Sequence, residues 1–391
     1  MRFPEFTEEW KETKLGKIAE ITKGSGISKD RLSEYGSPCI LYGELYTKYK
    51  SEIINEVYSR TELDSSLLVK SKANDVIIPC SGETAIDIST ARCVPFNNIL
   101  LGGDLNIIRL KNNDGGFFAY QLNGTRKKDI ARVAQGVSVV HLYGENLKHI
   151  RVYHPAIEEQ KKITRLLSLI DKRIATQNKI IEDLKKLKCA IIEKVLNGNN
   201  ANNLRLGDVG SYIRGLTYSS DDVVEYNSTL VMRSNNIVNG SLLDYQNNVV
   251  SVNKQISQEQ QLQDGDIIIC MANGSSALVG KSSFYDGKCI SPITVGAFCG
   301  IYRSKTAIAK WLFQTNRYRR YIWNSLQGGN GAIANLNSED ILRMSFPLPD
   351  KQTAERCIKL LSSLESLIES NISLCSKFSQ QKEYLLRQMF I

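Results

Sequence analysis

A heptad pattern of apolar residues occurs twice in the chain, and the two copies match at positions that lie 194 residues apart. Apolar residues recur at alternating steps of four and three from residue 163 to residue 195, and again from 357 to 389. This spacing is typical of a helix that buries one stripe against a second helix. The chain is therefore restricted to folds with two long helices, each about 50 Å in length.

Polar residues interrupt both apolar stripes at matching places. Gln177 and Lys188 stand in the first stripe, and Asn371 and Lys382 stand in the second. A polar residue in such a seam lowers stability but helps to fix the partner and the register. We therefore predict that the two helices pair with each other, and the alternative is that each packs only on its own domain. The predicted pairing positions are Ile163, Leu167, Ile170, Ile174, Gln177, Ile181, Leu184 and Lys188 with Leu361, Leu364, Ile368, Asn371, Phe378, Lys382 and Leu385.

The segments that precede the two helices also resemble each other. Residues 15–18 read Leu-Gly-Lys-Ile and residues 206–209 read Leu-Gly-Asp-Val, while Asp-Val-Ile-Ile at 75–78 returns as Asp-Ile-Ile-Ile at 266–269. Short apolar runs between Gly, Ser and Asn turns predict strands. An internal duplication makes the half-chain the unit of folding, and 391 residues suffice for two such units.

The expected fold class is α+β with a pseudo-two-fold internal repeat. Two similar α/β domains, residues 1–155 and 201–349, are separated by two long helices within residues 156–200 and 350–391. A pseudo-two-fold relation between the halves makes these helices an antiparallel coiled coil. The Asn- and Gly-rich residues 197–203 predict the end of the first helix and a flexible hinge.

Composition excludes few classes of function by itself. The chain has 50 basic and 41 acidic residues, a formal charge of +9 that permits a polyanionic partner without requiring one. Nine cysteines without a Cys-x-x-Cys pair are expected to be reduced and to act as small apolar residues, and with only three histidines a metal site is not expected. The absence of an apolar run of about 20 residues predicts no membrane span and a cytoplasmic protein.

One basic, helical stretch follows the strands of each half, at residues 117–132 and 309–326, and each runs into a Gln-Gly step. Basic residues ahead of a polar loop suit phosphate neutralisation beside contacts to base edges. The alternative is a solvated helix face, and for Tyr321 and Trp323 we favour packing on the sheet. The candidate DNA-binding residues in these stretches are Arg126, Lys127, Lys128, Arg132, Gln135, Arg317, Arg319, Arg320, Gln327 and Asn330.

Polar loops follow the central strands in both halves, and their residues differ between the copies while the strands match. Asn, Gln, Arg and Glu can read base edges in the major groove. Two domains that recognise different short DNA sequences would need the same strand framework with different loop residues. The candidate DNA-binding residues here are Tyr42, Glu44, Ser81, Glu83 and Thr84 in the first half and Arg233, Asn235, Asn236, Asn273, Ser275 and Ser276 in the second.

Motifs for catalysis are missing from the sequence. No two of the eight prolines are adjacent, so the Asx-Pro-Pro-aromatic motif of adenine methylation is absent. The phosphate-loop and Gly-x-Ser-x-Gly motifs are absent too. The sequence therefore predicts no catalytic residue, and a nuclease built on scattered acids is a minor alternative.

The order of these motifs resembles the specificity subunit of type I restriction-modification systems. The opening Phe-Pro-Glu-Phe at 3–6, with Trp10 ahead of the first Leu-Gly step, is similar to that family's N-terminus. So are the helix entries Pro-Ala-Ile-Glu-Glu-Gln at 155–160 and the shorter Pro-Asp-Lys-Gln at 349–352. The resemblance covers essentially the whole chain.

The resemblance implies a non-catalytic subunit with two target-recognition domains, each reading one half of a bipartite sequence in double-stranded DNA. Residues 156–200 and 350–391 would then set the spacing and dock partners: two methyltransferase subunits that modify adenine and two restriction subunits. No cofactor is expected in this chain, because S-adenosylmethionine, ATP and Mg would belong to the partner subunits. The alternative function is a coiled-coil scaffold protein that binds no DNA, and the salt dependence of duplex binding separates the two.

Overall fold

The computed structural model describes residues 2–197, 202–225, 228–326 and 334–390. Contacts divide the chain into two units, and each long helix contributes residues to both. The first unit contains residues 1–179 and 371–391, and the second unit contains residues 180–370.

The first unit is built from short strands and short helices around one segment of each long helix. Its strands are β1 (Lys11–Lys14), β2 (Ala19–Lys23), β3 (Ser37–Ile40), β4 (Ser59–Thr61), β5 (Asp75–Pro79), β6 (Ser81–Gly82), β7 (Arg92–Val94), β8 (Leu100–Leu101), β9 (Leu105–Leu110), β10 (Val140–His141) and β11 (Arg151–His154). Its helices are α1 (Leu15–Ile18), α2 (Glu44–Thr47), α3 (Ala85–Ile88), α4 (Gly115–Asn123), α5 (Lys127–Arg132), α6 (Gly144–Lys148) and the beginning of α7 (Ile157–Leu196). A 3-10 helix spans Lys29–Arg31.

The second unit has a similar order of elements, with one additional strand and with 3-10 helices in place of two short α-helices. Its strands are β12 (Asn202–Arg205), β13 (Gly210–Arg214), β14 (Val223–Val224), β15 (Thr229–Met232), β16 (Val250–Val252), β17 (Ile267–Cys270), β18 (Ala272–Asn273), β19 (Ser282–Phe284), β20 (Ile293–Val295), β21 (Cys299–Ser304), β22 (Ala334–Asn335) and β23 (Ser345–Leu348). Its helices are α8 (Leu206–Val209), α9 (Ala309–Leu312), α10 (Asn316–Leu326), α11 (Ser338–Leu342) and the beginning of α12 (Lys351–Met389). Short 3-10 helices span Ser220–Asp222, Ser234–Asn236 and Ser276–Leu278.

Each sheet of the first unit recurs in the second. The antiparallel four-stranded sheet β2-β9-β5-β7 returns as β13-β21-β17-β19. The pairs β1-β11 and β6-β10 return as β12-β23 and β18-β22. The sheet β4-β3-β8 returns with one additional strand as β14-β16-β15-β20, and the β3-β8 and β15-β20 pairs are parallel. The predicted duplication is therefore confirmed at the level of strand pairing.

The central strands β5 and β17 are buried along their whole length, which explains why their sequences are apolar runs without alternation. A buried carboxylate precedes or begins each of them and pairs with an arginine of the neighbouring strand. Arg109 Nη2 lies 2.8 Å from Asp75 Oδ2, and Arg303 Nη2 lies 2.7 Å from Asp266 Oδ2. The same bidentate pair thus fixes the sheet register in both units.

The two long helices pair in an antiparallel sense within each unit. In the first unit Lys382 contacts Asp171, and Gln177 donates a hydrogen bond to Asn371, so positions rise along α7 as they fall along α12. In the second unit Lys188 Nζ lies 3.6 Å from Glu365 Oε1. The predicted antiparallel pairing of the two helices is confirmed. Of the predicted seam, Ile163, Leu167, Ile170, Gln177, Ile181, Lys188, Leu361, Leu364, Ile368 and Leu385 are buried, while Ile174, Leu184, Asn371, Phe378 and Lys382 are half-buried.

Three details of the sequence predictions are wrong. Each basic stretch is two helices, because Gly124 ends α4 and Thr315 accepts a hydrogen bond from the Tyr318 amide at the start of α10. The predicted hinge is partly a strand, since Asn202 and Asn203 pair with β23, and residues 198–201 lie outside the described residues. Trp323 does not pack on the sheet: it is 66% exposed, whereas Tyr321 does pack on Phe346 of β23.

Candidate nucleic-acid interface

Two predicted loops of the first unit come together through the short ladder β6-β10. Ser81 of β6 is paired with His141 of β10, and the backbone amides of Gln135 and His141 each donate to the other's carbonyl at 2.9 and 2.7 Å. These bonds close a hairpin whose tip, residues 136–139, is exposed. Gln135 and Ser81, which are far apart in the sequence, therefore lie on the two sides of β10, each bridged to His141.

The exposed loop that follows β6 is capped at the start of α3. Glu83 and Thr84 are both exposed. The Thr84 hydroxyl accepts from the Asp87 amide at 3.1 Å and donates to the Asp87 carboxylate at 2.6 Å. The cap orders this loop and leaves the Glu83 side chain on the surface.

The second unit repeats the arrangement through β18-β22. Asn273 of β18 is paired with Ala334 of β22, and the Asn273 side-chain amide donates to Ser234 Oγ at 3.2 Å. The turn containing Arg233 and Asn235, both exposed, is thereby held beside β18. Ser275 and Ser276 follow as exposed residues, and the predicted Gln327 and Asn330 lie outside the described residues.

Two candidate residues are enclosed by their own units and support loops. The Glu44 carboxylate is buried and accepts from the Leu41 amide at 3.0 Å, from Lys48 at 2.6 Å and from Ser59. Asn236 is also buried, and its amide donates to the carbonyls of Asp244 and Asn247 at 3.0 and 2.8 Å. Tyr42 is half-buried against an apolar cluster of the first unit.

The basic residues of α5 and its N-terminus differ in how available they are. Arg126 lies over the Tyr153 ring at 5.1 Å and pairs with Asp129, so its guanidinium is engaged. Burial lowers the pKa of Lys127, and the nearby Arg92 lowers it further. Lys128 and Arg132 are exposed, and Arg132 also lies 3.3 Å from Asp129. This helix therefore offers two cations to a solvent-side anion.

The basic region of the second unit is more strongly charged. Between Asp286 and Glu339 the sequence has seven basic residues and no acid. Arg319 and Arg320 of α10 are exposed, and Arg317 is half-buried, with its Nε donating to Asn197 at 3.4 Å. The positive field of this segment is thus not compensated by acids in its own sequence.

Sequence reasoning missed the acids that face the two seam lysines. Lys382 Nζ bridges Asp171 Oδ1 at 2.6 Å and Glu52 Oε2 at 2.5 Å. Lys188 faces Glu365, which also pairs with Lys310. Asp171 and Glu365 are 194 residues apart, as the two lysines are, so the duplication carried the signal.

We call the charged cluster around Lys382 the first junction and the charged cluster around Lys188 the second junction. The two junctions differ in their balance of charge. At Lys382 burial opposes ionisation, but the carboxylates of Glu52 and Asp171 together outweigh it and raise the pKa of the lysine. At Lys188 burial outweighs the attraction of Glu365 and lowers the pKa. A ring lies near each ammonium, Tyr120 at 5.6 Å from Lys382 and Trp311 at 5.9 Å from Lys188.

Within the described parts of the chain, no group of three or more His, Cys, Asp or Glu residues is arranged to hold a metal ion. All nine cysteines are free. No helix in the described ranges is both long enough and apolar enough to cross a membrane.

Solved structures share this fold. The S subunit of a type I restriction-modification system from M. genitalium matches with a TM-score of 0.64 at 14% identity, covering 100% of this chain and 97% of that one. A chain from a structure of complex assembly and conformational transition in the type I R-M system matches with a TM-score of 0.54 at 14% identity, covering 98% of both chains.

Sequence comparison identifies the family. The specificity subunit of the type I restriction enzyme EcoKI from Escherichia coli K12 is 29% identical over 171 residues, which is 40% of this chain and 35% of that subunit. The match thus spans about a third of that relative's length. The family model described as "Type I restriction modification DNA specificity domain" matches twice, over residues 7–186 and 199–374. Because these two matches cover most of the sequence, the chain belongs to the type I restriction modification DNA specificity family.

Proposed function

We propose that this chain is the DNA-reading subunit of a type I restriction-modification complex and recognises a bipartite target in double-stranded DNA. Residues 1–155 read one half of the target and residues 201–349 read the other. The observation that carries the proposal is the recurrence of one arrangement with different side chains: a two-stranded ladder, polar loops beside it and a basic helix in each unit.

Base reading belongs to the exposed and half-buried polar side chains around the two ladders. In the first unit these include Ser81, Glu83 and Gln135, and in the second they include Asn235 and Asn273. Asn and Gln can bind adenine through two hydrogen bonds, and Glu can accept from cytosine. Because the side chains differ between the ladders, the two halves of the target differ in sequence.

Phosphate contacts belong to the exposed cations of the basic helices, Lys128 and Arg132 in the first unit and Arg319 and Arg320 in the second. Such contacts position a protein on the duplex without reading sequence. Glu44 and Asn236 shape the loops from within and do not touch DNA in this proposal, because their polar atoms are already bonded inside the unit.

Catalysis belongs to partner subunits in this proposal. The chain would recruit two methyltransferase subunits and two restriction subunits through residues 156–200 and 350–391. S-adenosylmethionine, ATP and Mg would be bound by those partners, and this chain would hold no cofactor. The likeness to a chain solved in a study of type I complex assembly supports an assembled state of this kind.

The first experiment is methylation mapping of DNA from cells that express this chain with its methyltransferase and restriction subunits. We expect adenine methylation at one bipartite sequence with a fixed unread spacer. Asn235→Ala, at an exposed asparagine, should relax one position of the half-site read by residues 201–349 and leave the other half-site unchanged, with a cost of about 1–3 kcal/mol per bidentate contact. A continuous target, or no change in methylation pattern between cells with and without the chain, contradicts the proposal.

Salt dependence separates DNA reading from a scaffold that binds no DNA. Each phosphate contact contributes a slope of about −0.9 to log K against log salt. Arg320→Gln, at an exposed arginine of α10, should reduce the slope by about one unit on target and unrelated duplexes alike. Arg343→Gln is the control, because Arg343 is an exposed arginine already paired with Glu339.

Spacing is tested by deletion. Removing one heptad from each of α7 and α12 shortens each helix by about 10 Å, which corresponds to about three base pairs at 3.4 Å per pair. We expect the unread spacer of the methylated target to change. An unchanged spacer refutes the role of the helices in setting it.

A further inference from the structure

An exposed tryptophan, which is not among the predicted DNA contacts, lines a groove in the second unit. The groove has a volume of about 290 Å³ and lies between α10 and the segment that runs from Ser276 to Lys281. Trp323 forms part of its wall although its side chain is 66% exposed. The ring joins Val279, Ile322 and Leu326 in the lining, and apolar surface gathered in a groove is typical of a binding site.

The floor of the groove is held rigidly to the sheet. The Gly280 amide donates to the Cys270 carbonyl at 2.8 Å, and the Cys270 amide donates to the Lys281 carbonyl at 2.9 Å. The Tyr318 hydroxyl donates to the Gly280 carbonyl at 2.8 Å. Gly280 has φ +79°, and a Cβ there would lie 2.6 Å from Ile322, so only glycine allows α10 to approach this closely.

Charge determines what the groove can accept. Its polar lining includes Arg319 and Lys281 and contains no Asp or Glu. Neither cation forms an ion pair with a carboxylate among the described residues. The ring can pack on a deoxyribose while the two unpaired cations bind its phosphate. An apolar peptide would leave the cations without a partner, and an acidic surface without sugars would leave the ring without one.

The groove also lies next to the residues assigned to DNA reading. Ser276 contributes to its lining and closely follows β18, whose ladder with β22 carries Asn273. A duplex read at that ladder presents its sugar-phosphate strand to the surface alongside. We propose that this groove binds one nucleotide of the DNA backbone, with the deoxyribose against Trp323 and the phosphate between Arg319 and Lys281. This inference rests on the proposed function and adds a contact that does not depend on base identity.

The test uses the chain assembled with its methyltransferase subunits. 5-Hydroxytryptophan is incorporated into this chain alone, so that its emission can be excited apart from the partners' tryptophans. Of the three tryptophans, Trp311 is buried and Trp10 half-buried, and only Trp323 is exposed. Saturating duplex should protect one emitting residue from acrylamide quenching, and a Trp323→Phe chain should show no such protection.

Affinity measurements test the chemistry of the contact. Trp323→Ala should weaken binding about three- to tenfold on target and unrelated duplexes alike. Ile290→Ala, at an exposed apolar residue outside the groove lining, should leave binding unchanged. Because one phosphate is shared, Arg319→Gln together with Lys281→Gln should reduce the salt slope by about 0.9 and not by twice that value.

Three results overturn the inference. Trp323 that stays accessible in a complex with target DNA refutes the contact while leaving DNA reading intact. A loss confined to the target sequence assigns the ring to a base and not to the backbone. Failure of the assembled complex to bind any duplex overturns both this inference and the proposed function.

Discussion

Replacing Lys382 by methionine should destabilise the first unit far more than the matching change at Lys188 destabilises the second. Lys382 has a half-buried side chain and is the cation shared by Glu52 and Asp171, whose carboxylates are both buried. Asp171 also accepts from the Tyr120 hydroxyl at 2.6 Å and from Ser51 at 2.9 Å. Methionine keeps the length of the side chain but leaves two like charges together without a cation.

The magnitude follows from what remains after each substitution. Removing one partner of a buried ion pair costs about 3–5 kcal/mol, because the other charge stays buried without compensation. Lys382→Met should lie in that range. Lys188→Met leaves Glu365 paired with Lys310 and removes a hydrogen bond to the Gly240 carbonyl, so about 1–2 kcal/mol is expected.

The measurement is urea unfolding of the full chain, followed by peptide-resolved hydrogen exchange so that residues 371–389 and 180–196 are read separately. A triple variant that combines Lys382→Met with Asp171→Asn and Glu52→Gln removes the unpaired charges and should recover most of the loss. Equal losses for the two lysines, or a loss below about 1 kcal/mol at Lys382, would refute the reasoning from buried charge.

Three further predictions concern single residues, each measured by chemical unfolding of the full chain. Gly280→Ala should cost about 1–3 kcal/mol more than Gly265→Ala, because both have a positive φ but only Gly280 has a side chain within reach of an added Cβ. Burial raises the pKa of the Cys93 thiol to about 12 from 9. Since the folded state then holds a proton that the unfolded state loses, the contribution of Cys93 to stability is full below pH 9 and falls between pH 9 and 12 by about 1.4 kcal/mol per pH unit. Cys93→Ala should make the fall of stability with pH less steep by that amount. Arg303→Met should cost about 3 kcal/mol by leaving the Asp266 carboxylate buried without its cation, and Arg303→Lys should recover only part of the loss because lysine cannot form the bidentate pair.

The duplication made much of the fold predictable from the sequence. Strands β5 and β17 and the antiparallel helices followed from patterns that recur at a nearly constant offset. The pattern works because apolar periodicity reports which face of an element is buried, and burial decides where helices and strands pack. The same argument predicts that the polar residues at matching positions of the two helix seams have similar neighbours.

The sequence also contains signals for the breaks between α4 and α5 and between α9 and α10. Gly124 is a weak helix former that ends α4, and Thr315 caps the start of α10 through its side-chain oxygen. Both signals are single residues inside otherwise helical sequence. The basic residues continue across each break, so the pattern of charge indicated one helix where each unit has two. Local capping chemistry therefore decides the boundaries that periodicity leaves open.

The candidate interface was less predictable because residue type does not reveal direction. Asn236 and Asn235 are adjacent and chemically identical, yet Asn236 is buried with both donors of its amide used inside the unit, while Asn235 is exposed. Glu44 was likewise selected for its chemistry and lies in an internal network. Trp323 shows the opposite error, since an aromatic residue expected to be packed lies on the surface.

The two junctions show how the duplicated framework accommodates divergence. In each unit the seam lysine and its acid come from opposite helices, with the lysine on α12 in the first unit and on α7 in the second. The additional partner differs in sign: Glu52 gives the first junction two acids for one lysine, and Lys310 gives the second two lysines for one acid. The backbone relation between the halves was therefore kept while the charge beside each seam changed. Because the additional residues belong to the globular part of each unit and not to the helices, divergence in the domains can proceed without loss of the helix register.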